Sequence, residues 1–231
     1  WYPYSRQDKK SAPREPITAR LVASLMHTAG VDRVLTMDLH AGQVQGFFDG
    51  PVDHMTALPM FAQYFQDRGL YGEGTVVVSP DAGRAKLAKK FAEMLGHGTN
   101  LAIVAKERPD HSVAHVMEII GDVRGKHAII SDDIIDTAGT LCAAAEGIHQ
   151  AGALSVTACA THPIFSPPAL ERIERSVLDE VVVCDTVPVD RLHMPAKIRV
   201  LPVDGILAKT IAEIFTDGSV SGLFGGENQL F

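Results

Sequence analysis

The sequence predicts an α/β protein built around a mainly parallel β-sheet. Short apolar segments rich in Val and Ile alternate along the chain with segments whose apolar residues recur at helical spacing. The strand segments are apolar almost throughout, which is typical of a parallel sheet covered by helices on both faces. With 231 residues, the chain is long enough for one large domain or two smaller ones.

Seven segments are predicted as strands because they are short, apolar and rich in β-branched residues. In chain order they are Arg33–Met37, Thr75–Ser79, Leu101–Ala105, His127–Ser131, Leu154–Ala160, Glu180–Cys184 and Ile198–Leu201. Four segments with helical spacing end close to a glycine, which is common just beyond a helix C-terminus. They are Pro16–Ala29, Ala85–Leu95, Thr140–Ala151 and Asp204–Phe215.

Composition and charge argue against several classes of protein. The net charge of −7 disfavours a general nucleic-acid-binding protein, which would more often be basic. No apolar run reaches the roughly 18 residues that cross a bilayer. Cys142, Cys159 and Cys184 lie in apolar surroundings without CxxC spacing, which favours buried thiols in a reducing cytoplasm over disulfides or zinc ligands. We therefore expect a cytoplasmic protein with neither nucleic-acid nor membrane partners.

The residues just after each predicted strand are the candidates for a functional site, because ligands of open parallel sheets bind beyond the carboxyl ends of the strands. After His127–Ser131 comes the turn Asp136–Thr140, whose small residues and hydroxyls suit an anion at the start of a helix. Asp132 and Asp133 suit sugar hydroxyls, directly or through a divalent cation. A helix cap would explain one acid but not three. This segment therefore predicts a sugar-phosphate site.

A second group of polar residues follows the strand Arg33–Met37. Asp38 and His40 are two residues apart, so in an extended backbone both would project to one face. Such a pair could bind a divalent metal or the phosphates of a nucleotide. Asp49 and Asp53 follow in the same segment and add two more carboxylates.

Two further strands are followed by candidate residues. Asp81 comes after Thr75–Ser79, where it could bind a metal or a ribose, or cap the next helix. Lys106 and Arg108 come after Leu101–Ala105 and precede a proline that leads the chain out of the sheet. Two cations there could close over phosphates during group transfer, or form a solvated basic turn.

Four separated motifs carry a resemblance to a known family. SDDIIDTAGTL (Ser131–Leu141) resembles the phosphoribosyl-pyrophosphate loop shared by phosphoribosyltransferases and ribose-phosphate pyrophosphokinases. DLHAGQVQGFFDGPVDH (Asp38–His54) resembles a signature of the pyrophosphokinases that the transferases lack. YPYSRQDKK (Tyr2–Lys10) resembles their nucleotide-binding segment, and the Lys-x-Arg pair at 106–108 matches their catalytic loop. The chain is thus similar to a ribose-phosphate pyrophosphokinase shortened at its N-terminus.

The resemblance implies a fold of two phosphoribosyltransferase-like domains, each a mainly parallel sheet flanked by helices, the first one incomplete. Residues 1–58 would form the C-terminal part of the N-terminal domain, on the ATP side. Residues 59–203 would form the C-terminal domain, on the ribose 5-phosphate side, with the site between the two. Residues 204–231 would form a final helix and tail that pack back on the first domain.

The resemblance also implies an activity, in which ATP and ribose 5-phosphate give 5-phosphoribosyl 1-pyrophosphate and AMP. The implied partners are Mg²⁺ as cofactor, ADP and phosphate as regulators, and further copies of the chain in a homohexamer. The residues that match the family's positions are Lys106 and Arg108 for catalysis, Arg6, Gln7 and His40 for ATP, Arg108, Asp132, Asp133, Asp136, Thr137, Ala138, Gly139 and Thr140 for ribose 5-phosphate, and His40, Asp81 and Asp38 for the metal.

The chain departs from the family pattern at two positions. The family commonly has glycine where Ala138 stands, and often has glycine where Arg84 stands. Two alternative functions also remain open. A phosphoribosyltransferase would use the same loop without ATP. A non-catalytic regulatory homologue would be expected to lose the loop cations or the metal ligands, and Lys106, Arg108, His40 and Asp81 are all present.

Overall fold

The structure, a computed structural model, describes residues 1–106, 117–220 and 222 of the chain. The elements within these residues, in chain order, are α1 (Thr18–Thr28), β1 (Val34–Met37), β2 (Val52–Met55), α2 (Leu58–Gln66), β3 (Thr75–Ser79), α3 (Ala85–Leu95), β4 (Asn100–Lys106), β5 (Met117–Ile120), β6 (His127–Ile135), α4 (Gly139–Gln150), β7 (Ser155–Pro163), α5 (Ala169–Arg175), β8 (Glu180–Cys184), β9 (Ile198–Leu201) and α6 (Asp204–Phe215). Short 3₁₀ helices span Gly42–Phe47, Gly72–Gly74 and Ala82–Arg84.

The chain forms two compact units. One contains Trp1–Ala57 together with the chain from Val203 onward, and the other contains Leu58–Pro202. The observed boundaries fall at residues 58 and 203. Each lies one residue before the start of a domain segment predicted from the sequence, at 59 and 204. The domain roles attached to those limits stay a prediction.

The larger unit is organised around a seven-stranded sheet with the order β5-β4-β3-β6-β7-β8-β9. All neighbouring pairs are parallel except β4 and β5, which are antiparallel. The prediction of an α/β fold with a mainly parallel sheet is therefore confirmed. The strands β3 and β8 are buried almost along their whole length, as their continuous Val-rich sequences predict.

The core of this unit is built where the apolar faces of helices meet the sheet. Leu141, Ala144 and Ile148 of α4 recur at helical spacing and pack into the same cluster as Ile130 of β6 and Val156 of β7. Short helices add to the cluster, since the buried residues of α5 belong to it as well. Because β3 and β6 both contribute to this core, the strand ends that carry the candidate residues are held in place by it.

The strand order reverses at the centre of this sheet. From β3 the chain passes through α3 to β4 on one side, whereas from β6 it passes through α4 to β7 on the other. The loops that leave β3 and β6 therefore diverge at the carboxyl ends of these strands, which is the usual ligand position in such sheets. Both loops contain residues predicted as site residues.

The strand β6 is longer than predicted. The sequence predicts that it ends at Ser131, because acids follow, but it continues to Ile135. It pairs with β3 only as far as Ile130, whereas its pairing with β7 continues to the partners Ile135 and Pro163. Asp132 and Asp133 therefore lie within a strand, beyond the end of β3, rather than in the loop.

The smaller unit contains a two-stranded parallel sheet, in which Val34 pairs with Val52 and Met37 with Met55. The strand β2 was not predicted, since its sequence VDHM is half polar. In the core beside α1, the Tyr2 hydroxyl donates a hydrogen bond of 2.8 Å to the Ala19 carbonyl. In the same unit, the Thr210 hydroxyl of α6 lies 3.0 Å from the Met55 sulfur of β2.

Candidate active site

The turn between β6 and α4 has the backbone that the sequence predicts for an anion site. Ala138 has a φ of 58° and a ψ of 6°, and the helix α4 begins at the next residue, Gly139. The side chains of Thr137 and Thr140 are exposed and that of Asp136 is half-buried. The first backbone N–H groups of α4 have no partner within the helix and, with these hydroxyls, can bind a phosphate.

The left-handed backbone at Ala138 explains why a glycine is common at this position. An L-residue in this region costs roughly 1–2 kcal/mol, whereas glycine adopts it freely. Ala138 is buried, with 5% of its surface exposed, and its carbonyl accepts a hydrogen bond of 2.9 Å from the Cys142 N–H. The turn therefore keeps its shape with alanine, at some cost in stability.

Arg172 of α5 supports the turn from outside and was not predicted as a site residue. Its Nη1 donates a hydrogen bond of 2.9 Å to the Thr137 carbonyl. A Cβ atom added at Gly139 would lie 3.2 Å from the same nitrogen, so the turn and the guanidinium are closely packed. The sequence around Arg172 reads as a charged helix surface, and no signal in it indicates this contact.

Asp132 and Asp133 have different surroundings although they are adjacent. Asp133 is buried, with 3% of its surface exposed, whereas Asp132 is half-buried and its Oδ1 accepts a hydrogen bond of 2.8 Å from the Asp133 N–H. Burial raises the pKa of Asp132 well above its usual range, and the hydrogen bond and negative charge of Asp133 raise it further, against the opposing charge of Arg84. The two acids thus differ in exposure, and the pKa of the more exposed Asp132 is raised.

The loop after β3 carries Asp81 as a helix cap. Its Oδ1 accepts a hydrogen bond of 3.0 Å from the Arg84 N–H at the end of the 3₁₀ turn, and the Ser79 hydroxyl donates to the Asp81 carbonyl at 2.6 Å. The capping alternative is therefore observed. Asp81 is also exposed, so capping does not prevent it from binding a ligand. The side chain of Arg84 lies 2.6 Å from Asp133.

The predicted catalytic cations are only partly within the described chain. Lys106 is the last residue of β4, where its backbone pairs with Met117. Its side chain and the whole of Arg108 lie outside the described residues.

In the smaller unit, Asp38 serves the fold directly. Its Oδ2 accepts a hydrogen bond of 2.8 Å from the Ala57 N–H, and its own N–H donates to the Met55 carbonyl at 2.9 Å. The strand β1 ends at Met37, and Asp38 has a φ of 40°. The argument that an extended backbone points Asp38 and His40 to one face is therefore wrong. Asp38 is buried and His40 is half-buried.

Three other residues of this segment also stabilise the fold, and their roles were not predicted. The buried His54 accepts a hydrogen bond of 3.0 Å from the Leu39 N–H at its Nε2. Asp53 forms an ion pair with Arg33 at 2.5 Å, and Asp49 lies 3.6 Å from Arg20. The carboxylates of Asp49 and Asp53 are thus engaged by arginines within the unit.

Arg6 and Gln7 lie in an exposed turn next to the start of α1. The Gln7 carbonyl accepts a hydrogen bond of 3.2 Å from the Ala19 N–H, and the Gln43 side-chain amide donates to the Asp8 carboxylate. Both side chains are exposed on a backbone that is fixed at these points, so they can reach a ligand.

The predicted metal ligands, which all lie within the described range 1–106, do not form a complete protein site for an ion by themselves. Among the described residues, no group of three or more His, Cys, Asp or Glu side chains is arranged to hold a metal ion. Mg²⁺ commonly binds through one or two carboxylates plus substrate phosphates and water, so an exposed carboxylate such as Asp81 fits it without a protein cage.

No helix in the described part of the chain is long and apolar enough to cross a membrane.

The fold and the turn after β6 define an α/β protein with a turn suited to an anion at the carboxyl edge of a mainly parallel sheet. The chain is 52% identical over 224 residues to the ribose-phosphate pyrophosphokinase of Fusobacterium nucleatum. The aligned region covers 97% of this chain and 70% of the relative. The chain belongs to the ribose-phosphate pyrophosphokinase family, and the resemblance seen in the sequence is confirmed.

Other comparisons agree. The pyrophosphokinase of Clostridium acetobutylicum is 52% identical over 223 residues, covering 96% of this chain and 69% of the relative. Residues 1–30 match the N-terminal domain of ribose phosphate pyrophosphokinase, and residues 100–225 match the phosphoribosyl synthetase-associated domain. The phosphoribosylpyrophosphate synthetase from Mycobacterium smegmatis superposes with a TM-score of 0.87 at 44% identity, covering 94% of this chain and 70% of that structure.

Proposed function

We propose that the chain transfers the β,γ-diphosphoryl group of ATP to the C1 hydroxyl of ribose 5-phosphate, as a ribose-phosphate diphosphokinase among the transferases of phosphorus-containing groups. The bond that forms joins the C1 oxygen to the β-phosphorus, and the bond that breaks releases AMP. The observation that carries the proposal is the turn Asp136–Thr140 in a chain that also has the family signature Asp38–His54.

The larger unit supplies the groups for the sugar phosphate in this proposal. The 5-phosphate binds the N–H groups and hydroxyls of Asp136–Thr140, where the helix N-terminus favours negative charge. Asp132 and Asp133 accept hydrogen bonds from the ribose hydroxyls, with Asp132 as the more exposed of the two. Arg172 keeps the turn in place through Thr137.

The remaining roles follow the chain's match to the family. Arg6 and Gln7 hold ATP through their exposed side chains, and His40 contacts its phosphates. Lys106 and Arg108 stabilise the charge of the transferring diphosphoryl group, and Arg108 also contacts ribose 5-phosphate. Such transfer depends on positioning and on charge neutralisation rather than on a covalent intermediate with the protein.

The residues proposed as Mg²⁺ ligands from the sequence are Asp81 in the larger unit and His40 and Asp38 in the smaller unit. When bound, the ion neutralises phosphate charge and orients the oxygens of ATP. Asp81 is suited to the ion by its exposure. Asp38 is less suited, because its carboxylate already accepts the Ala57 N–H and is buried.

We extend the proposal to the protein's setting. It acts in the cytoplasm, where its three cysteines stay reduced, as all three are free thiols in the structure. ADP and phosphate regulate it, and it assembles as a homohexamer. The regulation and the assembly follow from the family resemblance, and they can be checked by enzyme assays with added ADP or phosphate and by light scattering.

The test is the formation of AMP from ATP by the purified protein, with and without ribose 5-phosphate. We expect AMP only when both substrates and Mg²⁺ are present. AMP formation should fall by about a hundredfold or more in Lys106→Ala, because a preorganised cation acts on the transition state. If the parent forms no AMP but consumes 5-phosphoribosyl 1-pyrophosphate with a base, it is a transferase. If it binds both substrates without turnover, it is a regulatory homologue.

A further inference from the structure

The ion pair between Arg84 and Asp133 joins the loop after β3 to the acidic end of β6. The Arg84 Nη2 lies 2.6 Å from the Asp133 Oδ2, and the two side chains are 16% and 3% exposed. Because both groups are largely withdrawn from water, their attraction is screened much less than that of a surface pair. Loss of the arginine charge would leave a buried carboxylate without this compensation, which is strongly unfavourable.

The backbone of the same residue holds Asp81. The Arg84 N–H donates to the Asp81 Oδ1 at 3.0 Å, while the Asp81 carbonyl accepts from the Ser79 hydroxyl at 2.6 Å. One residue therefore contacts two acids, Asp81 through its N–H and Asp133 through its guanidinium. Asp81 follows β3, and Asp133 lies near the end of the neighbouring strand β6. The strand order reverses between these two strands.

The ion pair also separates the roles of the two adjacent acids on β6. Adjacent carboxylates repel each other, and a cation beside one of them offsets that repulsion. Asp133 faces Arg84 and is buried, whereas Asp132 is half-buried and is tied to the Asp133 N–H by a hydrogen bond of 2.8 Å. Any movement of Asp133 would therefore also move the carboxylate that is more accessible to a sugar.

We propose that Arg84 is a positioning residue of the sugar-phosphate site, which fixes Asp133 and thereby presents Asp132 to the ribose hydroxyls. The inference rests on the function proposed above. Arg84 acts through Asp133 and has no contact with the reacting atoms in this proposal. Loss of its side chain should weaken the binding of ribose 5-phosphate and leave the binding of ATP, assigned to Arg6, Gln7 and His40, essentially unchanged.

The first experiment compares Arg84→Gln with the parent by measuring KM for each substrate during AMP formation. We expect the KM for ribose 5-phosphate to rise about tenfold and that for ATP to stay within about twofold. Arg84→Lys keeps the charge and should show a smaller rise. The control Arg175→Gln removes the same charge from an exposed i,i+4 pair with Glu171 and should leave both KM values unchanged.

The second experiment uses the double variant Arg84→Gln with Asp133→Asn. Removing both partners of a buried pair is far less unfavourable than removing one, so the double variant should bind ribose 5-phosphate more tightly than Arg84→Gln does. Asp133→Asn alone completes the cycle, and if Arg84→Gln fails to fold, the double variant is compared with Asp133→Asn, which should bind ribose 5-phosphate about equally because Arg84 then has no carboxylate to fix. Equal increases in both KM values, no increase in either, or simple additivity of Arg84→Gln and Asp133→Asn would overturn the proposal.

Failure of the proposed function gives a different result. If the parent forms no AMP, the function proposed above is wrong, and the role of Arg84 is then measured by calorimetric titration of each variant with ribose 5-phosphate. If the parent forms AMP and the variants bind both substrates like the parent, the function stands and the role of Arg84 is wrong.

Discussion

Acids lie within or directly after strands in both units of the chain, but their environments differ. In the smaller unit, Asp38 accepts a backbone N–H and Asp53 pairs with Arg33, so these carboxylates stabilise the fold. In the larger unit, Asp132 and Asp136 are half-buried beside a turn whose helix N-terminus can bind an anion. Both Asp38 and Asp132 accept a backbone N–H, but Asp38 is buried whereas Asp132 keeps part of its surface accessible to a ligand.

This difference has a general cause. A buried carboxylate must find hydrogen-bond donors or a cation within the protein, because its desolvation is costly. A carboxylate that is to bind a ligand must keep part of its surface accessible until the ligand arrives. Asp133 and its neighbour Asp132 show both cases in consecutive residues, which is why substitutions at the two kinds of position should have different consequences.

The largest effect is expected at the buried acid of the smaller unit. Asp38→Ala removes the acceptor of the Ala57 N–H and places alanine at a φ of 40°. We expect a loss of about 3 kcal/mol in the free energy of unfolding, measured by urea denaturation. Asp49→Ala, at an exposed pair, is the control and should cost under about 0.5 kcal/mol. Equal losses in the two variants would remove the distinction drawn between the acids.

A smaller effect is expected at the support of the phosphate turn. Arg172→Gln shortens the side chain that donates to the Thr137 carbonyl. We expect about a tenfold weaker binding of ribose 5-phosphate, since a hydrogen bond from a charged donor is worth about 1.5–3 kcal/mol and this one is exposed. Calorimetry measures the binding, and Arg175→Gln on the same helix is the control. Equal affinities in the two variants would show that the turn does not depend on Arg172.

The raised pKa of Asp132 predicts a pH dependence of stability. A carboxyl whose pKa is higher in the folded protein stabilises the fold at acidic pH, and this contribution is lost as the pH rises from the ordinary value of 3.8 through the raised pKa. Asp132→Asn keeps a neutral side chain at all pH values, so its melting temperature should fall less than that of the parent on going from pH 4 to pH 8. If the melting temperatures of the parent and of Asp132→Asn changed equally between pH 4 and pH 8, the raised pKa of Asp132 would be contradicted.

The smallest effect is expected at the left-handed residue of the turn. Ala138→Gly relieves a backbone cost of roughly 1–2 kcal/mol, but it also gives the unfolded chain about 0.4–1 kcal/mol of additional entropy. We expect a net gain of about 0.5 kcal/mol in stability by urea denaturation. Ala144→Gly within α4 is the control, where the same substitution should be clearly destabilising because that alanine is helical and buried. A loss at both positions would mean that the turn is not strained.

The sequence predicts the elements whose signals are local. The helices Ala85–Leu95 and Asp204–Phe215 have the predicted bounds, because their apolar spacing and their ends are both visible in the residues themselves. The turn Asp136–Thr140 was predicted for the same reason, since its small residues and hydroxyls lie directly before a helix. The assignment of these residues to ligands stays a prediction.

The features that the sequence does not predict are mostly set by contacts between residues that are distant in the sequence. The strand β6 continues through two acids because β7 continues beside it, and the guanidinium of Arg172 reaches Thr137 from a helix 35 residues away. The short elements β2, β5 and α5 carry too few residues for a clear period, and α2 was missed although its buried Phe61 and Phe65 have helical spacing. The geometry at Asp38 was wrong because the backbone leaves the extended conformation as soon as β1 ends at Met37, and Asp38 has a φ of 40°.

The extension of β6 and β7 past β3 has a consequence for the entropy of binding. Asp132 and Asp133 lie on β6 where it continues past β3 while still hydrogen-bonded to β7, so their backbone is already ordered before a ligand arrives. A loop that carried the same acids would lose conformational freedom on binding, which weakens affinity. Groups held on paired strands keep their geometry within narrow limits. The chain thus presents its acidic pair on a paired strand, and these residues lose their conformational freedom during folding rather than during each binding event.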